Sequence, residues 1–155
     1  MRRIAYALAV VLVLVPAACG GSDDSSSAPL RSGVYEYELT SDYLRDNGIS
    51  QRQSEQESGS HTVVLRPDGT FTDSWRTSVG TTGSCSGTFR EGDDRLVTFR
   101  WKSGCFGDWQ MKYAVDADRV SWSEQKALSP YASDEDQTIT EVFNSVPWRR
   151  TADES

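Results

Sequence analysis

Histidine is nearly absent from this chain, and cysteine is scarce. The 155 residues include a single histidine, His61, and three cysteines, none of which form a CxxC pair. A structural zinc site takes four ligands that are mostly cysteine or histidine, so this composition argues against a zinc protein. Runs of acidic residues also lack the spaced oxygen ligands of a calcium loop. The sequence therefore predicts no metal and no cofactor.

Basic residues are outnumbered by acidic ones. Lys and Arg total 16 against 23 Asp and Glu, which gives a formal charge of -7. Nucleic-acid binding requires clustered Lys and Arg, so we expect no nucleic-acid partner. Gly, Ser and Thr are frequent and Ala is sparse after residue 18, a balance that favours strands and turns over helices.

The one long apolar run stands at the amino terminus. Arg2 and Arg3 precede Ile4–Val15, and the small residues Ala17 and Ala18 follow. The run is too short to span a bilayer comfortably, although an uncleaved anchor is the alternative. The pattern predicts that residues 1–18 form a secretory signal peptide.

Cys19 directly follows the small residues, and this arrangement resembles the lipobox of bacterial lipoproteins. Pro16 stands where that motif usually has Leu. The resemblance implies that Cys19 carries a lipid and anchors the protein in the cell membrane, on the extracytoplasmic side. The competing interpretation, a buried Cys19, has little support among Gly, Ser and Asp neighbours. Residues 19–30 would then include a flexible tether without apolar periodicity.

Residues 31–151 show the alternation typical of β-strands. Tyr35, Tyr37 and Leu39 fall on one face of the first run, and Glu36 and Glu38 fall on the other. The pattern predicts an all-β fold, a small antiparallel up-and-down β-barrel, followed by a frayed tail at 152–155. Strands are predicted at 33–39, 61–65, 71–77, 85–90, 95–101, 109–115 and 119–123.

The segments between strands predict little helix. Thr40 or Ser41 can cap a short helix that ends at Gly48. Residues 50–60 are polar without a period, which predicts a mobile loop. Residues 138–144 fit either one helical turn or a short strand, and Trp148 is expected to pack on the barrel end.

Cys85 and Cys105 remain as a pair once Cys19 is lipidated. They lie at the start of one predicted strand and just past the end of the next, so they are adjacent in a hairpin. In an oxidising compartment this arrangement predicts a disulfide.

Most of residues 31–150 resembles a group of actinobacterial exported proteins with lipocalin-like folds, which are mostly uncharacterised. The resemblance implies a lipocalin-like barrel but carries over no catalytic residues. Lipocalins have Gly-x-Trp near the first strand, and this chain has Tyr35 at the position of the tryptophan. Lipocalins also place an Arg of the last strand over that aromatic ring, and Arg149 or Arg150 could have this role here. The matching motifs are Gly33-x-Tyr35, Asn47-Gly48-Ile49, Asp68-Gly69-x-Phe71, Cys85-Ser86-Gly87-Thr88-Phe89, Val97-Thr98-Phe99, Trp109 and Pro147-Trp148-Arg149-Arg150.

Large aromatic side chains dominate the faces predicted to point inward. An eight-stranded barrel either fills with side chains or holds one small ligand, and the pattern leaves both open. The first hypothesis is a binding protein for a small apolar or amphipathic ligand. The alternative is a cell-envelope interaction or structural protein with a filled barrel. The candidate ligand-binding residues are Tyr35, Tyr37, Phe71, Asp73, Trp75, Phe99, Trp101, Trp109 and Tyr113.

Two polar residues are the remaining candidates for chemistry. His61 begins a strand beside a polar segment, which favours a surface histidine, and no motif supplies a nucleophile or an orienting acid. Asp73 shares a face with Phe71 and Trp75, and if that face points inward it could contact a polar group of a ligand. The favoured prediction is instead a bulge that turns Asp73 outward, or a pairing with an Arg. The sequence therefore predicts a protein that is not an enzyme.

Overall fold

A computed structural model describes residues 28–103, 105, 107–128 and 134–153. The predicted signal peptide, Cys19 and most of the tether lie outside the described residues, as does the end of the predicted tail. The strands are β1 (Gly33–Leu39), β2 (Gly59–Leu65), β3 (Thr70–Thr77), β4 (Thr82–Glu91), β5 (Leu96–Ser103), β6 (Asp108–Asp116), β7 (Arg119–Ala127) and β8 (Trp148–Ala152). The α-helices are α1 (Ser41–Asp46), α2 (Gln51–Glu57) and α3 (Asp134–Asn144), and a 3-10 turn spans Asp93–Arg95.

The strands form a closed barrel, which confirms the predicted fold class. Each strand pairs antiparallel with the next, and β8 returns to pair with β1. Val34 lies opposite Ala152, so β8 runs one residue past the predicted end of the barrel. Among the described residues, no helix combines the length and the apolar character needed to cross a bilayer.

The connections separate the barrel into two different ends. Helices α1, α2 and α3, the β3–β4 loop and the β5–β6 connection with Cys105 all lie at one end, here called the helical end. Short turns join the strands at the other end, called the turn end, where residues 28–32 lead into β1. This follows from up-and-down topology, in which successive connections alternate between ends.

The turn end is filled by buried apolar side chains. Leu65, Val97 and Val120 are almost fully buried there, and Tyr35 packs against Trp148 with ring centroids 6.4 Å apart. The Tyr35 hydroxyl donates to the Arg31 carbonyl oxygen at 2.6 Å. This half of the barrel is a packed core of the kind that a small barrel needs for stability.

Arg150 is the last-strand arginine that lies beside Tyr35. The two residues are paired across β1 and β8, whereas Arg149 is exposed and pairs with Glu36. The guanidinium of Arg150 donates to the Ser32 carbonyl oxygen at 2.8 Å. Burial raises the pKa of Tyr35, and the charge of Arg150 partly opposes that rise.

The predicted loop at residues 50–60 is wrong, because α2 occupies most of it. The Ser50 hydroxyl accepts from the Gln53 amide and caps the helix. Ser58 connects the helix to its surroundings through hydroxyl contacts with Ser41 at 3.0 Å and Ser78 at 2.7 Å. Hydrogen bonds rather than apolar contacts dock this helix, so hydrophobic periodicity did not indicate it.

The other helical predictions have mixed outcomes. Helix α1 is confirmed, with Thr40 as its N-cap and Gly48 at a φ of 89°. Residues 138–144 belong to α3, so the helical alternative is the correct one, and the Tyr43 hydroxyl donates to the Val142 carbonyl oxygen at 3.1 Å. Trp148 does not pack on the barrel end, because β8 directs it into the core, where it is 5% exposed.

Candidate ligand cavity

A cavity of about 590 Å³ opens at the helical end of the barrel. Small-molecule sites in proteins typically measure about 300–1,000 Å³, so the volume suits one small ligand. Its floor consists of four apolar side chains that also belong to the packed core. These are Val63, Phe71, Phe99 and Met111.

The wall of the cavity is mostly aromatic. Phe71 contacts Trp101 edge to face, with ring centroids 4.6 Å apart. Trp75 lies against Gly83 of the neighbouring strand, and a β-carbon added at Gly83 would lie 2.6 Å from Trp75 Cε2. The missing side chain on β4 is therefore what lets the Trp75 ring lie against the barrel wall. The tryptophans of the lining are Trp75, Trp101, Trp109 and Trp148.

His61 lies inside the cavity, so its prediction as a surface residue is wrong. The strand register places Tyr37, His61 and Trp75 directly opposite one another on β1, β2 and β3. The histidine ring stacks on Tyr37 at 4.5 Å and 14°, and on Trp75 at 6.3 Å and 25°. It is 8% exposed. The alternation of residues along β2 indicated the inward direction of His61, because His61 shares a face with Val63 and Leu65.

Asp73 also points into the cavity, so the favoured prediction of an outward or Arg-paired carboxylate is wrong. The pairing of β3 with β2 and β4 is continuous, without a bulge. Asp73 Oδ1 lies 3.6 Å from His61 Nδ1, which is longer than a hydrogen bond but within ion-pair distance. Neither atom has a hydrogen-bond partner among the described residues.

The Asp73 carboxylate affects the pKa of the Tyr37 hydroxyl. Burial raises the pKa of Tyr37 well above its ordinary value, and the negative charge of Asp73 raises it further. Tyr37 therefore stays protonated and neutral at physiological pH. Its ring is held between His61 and Trp148, the latter stacked at 5.6 Å.

The structure brings together most of the predicted ligand-binding residues. Tyr35 and Tyr113 are the exceptions, since both belong to the turn end. The Tyr113 hydroxyl accepts from the Leu30 amide at 3.3 Å, and burial raises the pKa of Tyr113. The predicted residues that do line the cavity are Tyr37, Phe71, Asp73, Trp75, Phe99, Trp101 and Trp109.

The rim of the cavity comes from elements that the sequence did not connect with the barrel interior. Glu57 ends α2, and Phe143 of α3 meets His61 edge to face at 6.5 Å. The predicted disulfide between Cys85 and Cys105 is confirmed, and Cys105 borders the cavity. The bond fastens the β5–β6 connection to β4.

The chain matches no protein-family model, no curated protein and no solved structure. The resemblance to exported lipocalin-like proteins therefore stays a prediction. Among the residues that the structure describes, no group of three or more His, Cys, Asp or Glu side chains is placed to hold a metal ion. The geometry of the cavity is thus the main basis for a functional proposal.

Proposed function

We propose that the chain is a lipid-anchored extracytoplasmic protein that binds a small apolar or amphipathic molecule inside its barrel. The observation that carries the proposal is the cavity of about 590 Å³ with Trp75, Trp101 and Trp109 in its wall. Concave, mostly apolar sites with a few converging polar groups are the usual form of small-molecule sites. His61 and Asp73 are the converging polar groups here.

The filled-barrel alternative has less support. A protein that acts through its surface is expected to combine a solid interior with an exposed apolar patch. In the described part of the chain, the exposed large apolar side chains are Val79, 63% exposed, and Leu128, 40% exposed. Val79 itself lines the cavity. These two positions belong to separate connections and do not indicate a surface patch.

A catalytic role has a weaker basis than binding. A histidine beside a carboxylate is part of many hydrolytic sites, but those sites also hold a hydroxyl or thiol nucleophile within hydrogen-bond reach. Of the lining residues that could supply such a group, Cys105 is held in the disulfide with Cys85, and the Thr77 hydroxyl donates to the Thr81 carbonyl oxygen. The pair is thus better suited to meeting a polar group of a bound molecule.

The lipid anchor and the cavity would lie at opposite ends of the domain. The anchor is supported by the lipobox-like residues around Cys19. Residues 28–32 lead into β1 at the turn end, whereas the cavity opens at the helical end. A tether that joins at the turn end leaves the mouth of the cavity free for a ligand.

Native mass spectrometry tests the binding function. The full chain would be exported with Cys19→Ala, so that the disulfide forms and no lipid remains, and compared before and after denaturation. We expect an adduct that denaturation removes. Trp101→Ala should reduce this adduct, whereas Trp122→Phe, a core change outside the cavity lining, should preserve it. An adduct that survives both denaturation and Trp101→Ala would contradict binding in the cavity.

A further inference from the structure

Apart from His61, which is positive only when protonated, the charged side chains around the cavity have one sign. Among the described lining residues there is no Lys and no Arg, whereas two carboxylates are present. Asp73 lies within the cavity and Glu57 lies at its rim. An anionic ligand would meet these carboxylates without a fixed countercharge, so the cavity disfavours carboxylate, sulfate and phosphate groups.

The Asp73 carboxylate, the deeper of the two, also lacks a hydrogen-bond donor for Oδ1 among the described residues. The side chains of Asp73 and His61 are 14% and 9% exposed, and Oδ1 and Nδ1 have no hydrogen-bond partners among the described residues. A buried acceptor without a donor is destabilising, and native proteins keep few of them. A ligand that brings a donor to Asp73 Oδ1 would remove this penalty.

The aromatic rings favour the same kind of ligand. The faces of tryptophan and tyrosine rings carry negative electrostatic potential and attract cations. Trp75, Trp101 and Trp109 line the same cavity as Asp73. A positive group near Asp73 would thus lie close to tryptophan rings as well as beside a carboxylate.

We propose that the ligand is a small organic cation, an amine with an apolar body, whose charged nitrogen lies beside Asp73. This inference rests on the proposed binding function. On β3, Asp73 stands between Phe71 of the floor and Trp75 of the wall. The nitrogen therefore lies deep in the cavity, and the apolar body extends toward the mouth between Trp75, Trp101 and Trp109.

Isothermal titration calorimetry with probes that differ mainly in charge tests this inference. The probes are 2-phenylethylamine, 2-phenylethanol and phenylacetate, and a longer series of decylamine, decanol and decanoate. The protein is the exported full chain with Cys19→Ala and an intact disulfide, purified without detergent. In at least one series we expect the cation to bind about tenfold more tightly than the neutral probe, as a charge-assisted contact predicts, and the anion to bind most weakly.

Asp73→Asn should remove this preference. It should weaken cation binding about tenfold and change binding of the neutral probe by less than about threefold. Asp116→Asn is the matched control, since it removes the same charge from an exposed position at the turn end. If Asp73→Asn does not fold, Glu57→Gln at the rim and the comparison of probes on the parent protein still decide the question.

The outcomes separate the two proposals. Neutral or anionic probes that bind as tightly as the cations would overturn the cation assignment and leave the binding function in place. A cation preference that Asp116→Asn abolishes and Asp73→Asn does not would overturn the role of Asp73. If no probe binds and native mass spectrometry shows no releasable adduct, both the binding function and the cation assignment are wrong.

Discussion

Removal of the Cys85–Cys105 disulfide should lower stability strongly. The bond joins residues separated by 20 positions, and in the chain-entropy model a loop of this length stabilises the fold by about 3 kcal/mol. For a domain of this size, that loss corresponds to a decrease in Tm of roughly 10 °C. Because Cys85 is buried, Cys85→Ala combined with Cys105→Ser avoids placing a new hydroxyl in the core.

The assay is urea unfolding followed by tryptophan fluorescence, with and without reductant. Without reductant, the double variant should unfold at a clearly lower urea concentration than the parent. With reductant, the parent should approach the variant, and the variant should not change. The matched control is Ser86→Ala with Ser103→Ala, which removes an exposed hydroxyl contact of 2.9 Å between β4 and β5, close in sequence to both cysteines. We expect this control to cost less than about 1 kcal/mol.

Equal midpoints for parent and double variant without reductant would refute the reasoning. A large loss in the serine control would refute it differently, since the effect would then come from any link between β4 and β5 rather than from the covalent one.

The cavity provides a second readout. Because Cys105 borders it, ligand binding by the reduced protein should weaken together with stability.

Three further predictions follow from the structure and the sequence. Gly83→Ala should displace the Trp75 ring, shift tryptophan fluorescence and reduce the native adduct, and an unchanged spectrum would contradict the close contact. Cys19→Ala should release the protein from the membrane fraction, and its retention there would argue against lipidation. The raised pKa of Tyr37 means that its stabilisation is full below the ordinary value of 10.0 and is lost as pH rises above it. Urea midpoints of Tyr37→Phe should therefore fall less steeply than those of the parent above pH 10, and identical slopes would refute this.

The first seven strands were predictable because their signal is local, whereas β8 was not predicted from its own pattern. Alternation of apolar and polar residues along β1 and β6 reports which face is buried, whatever the partner strand is. The disulfide was predictable for a similar reason, since two cysteines at adjacent ends of neighbouring strands are close in any hairpin.

The wrong predictions concern positions whose structure is set by tertiary contacts rather than by the local sequence pattern. Helix α2 has no apolar face, and the hydroxyls that dock it belong to distant residues such as Ser78. His61 looked like a surface residue because polar residues precede it, but the register with Tyr37 and Trp75 places it among aromatic rings. The strand pattern placed Asp73 on the same face as Phe71 and Trp75, but the bulge or Arg partner was favoured, because the continuous pairing of β3 and the nearby His61 were not known before the register.

The sequence by itself determined that this chain forms a β-barrel with a covalent link between Cys85 and Cys105, because alternation and spacing are properties of the chain. Only the tertiary structure decided whether the barrel is filled. The free volume depends on how side chains from all the described strands and helices meet, and no single segment contains that information. The same aromatic residues make a packed core at the turn end and a cavity wall around His61 and Asp73 at the helical end.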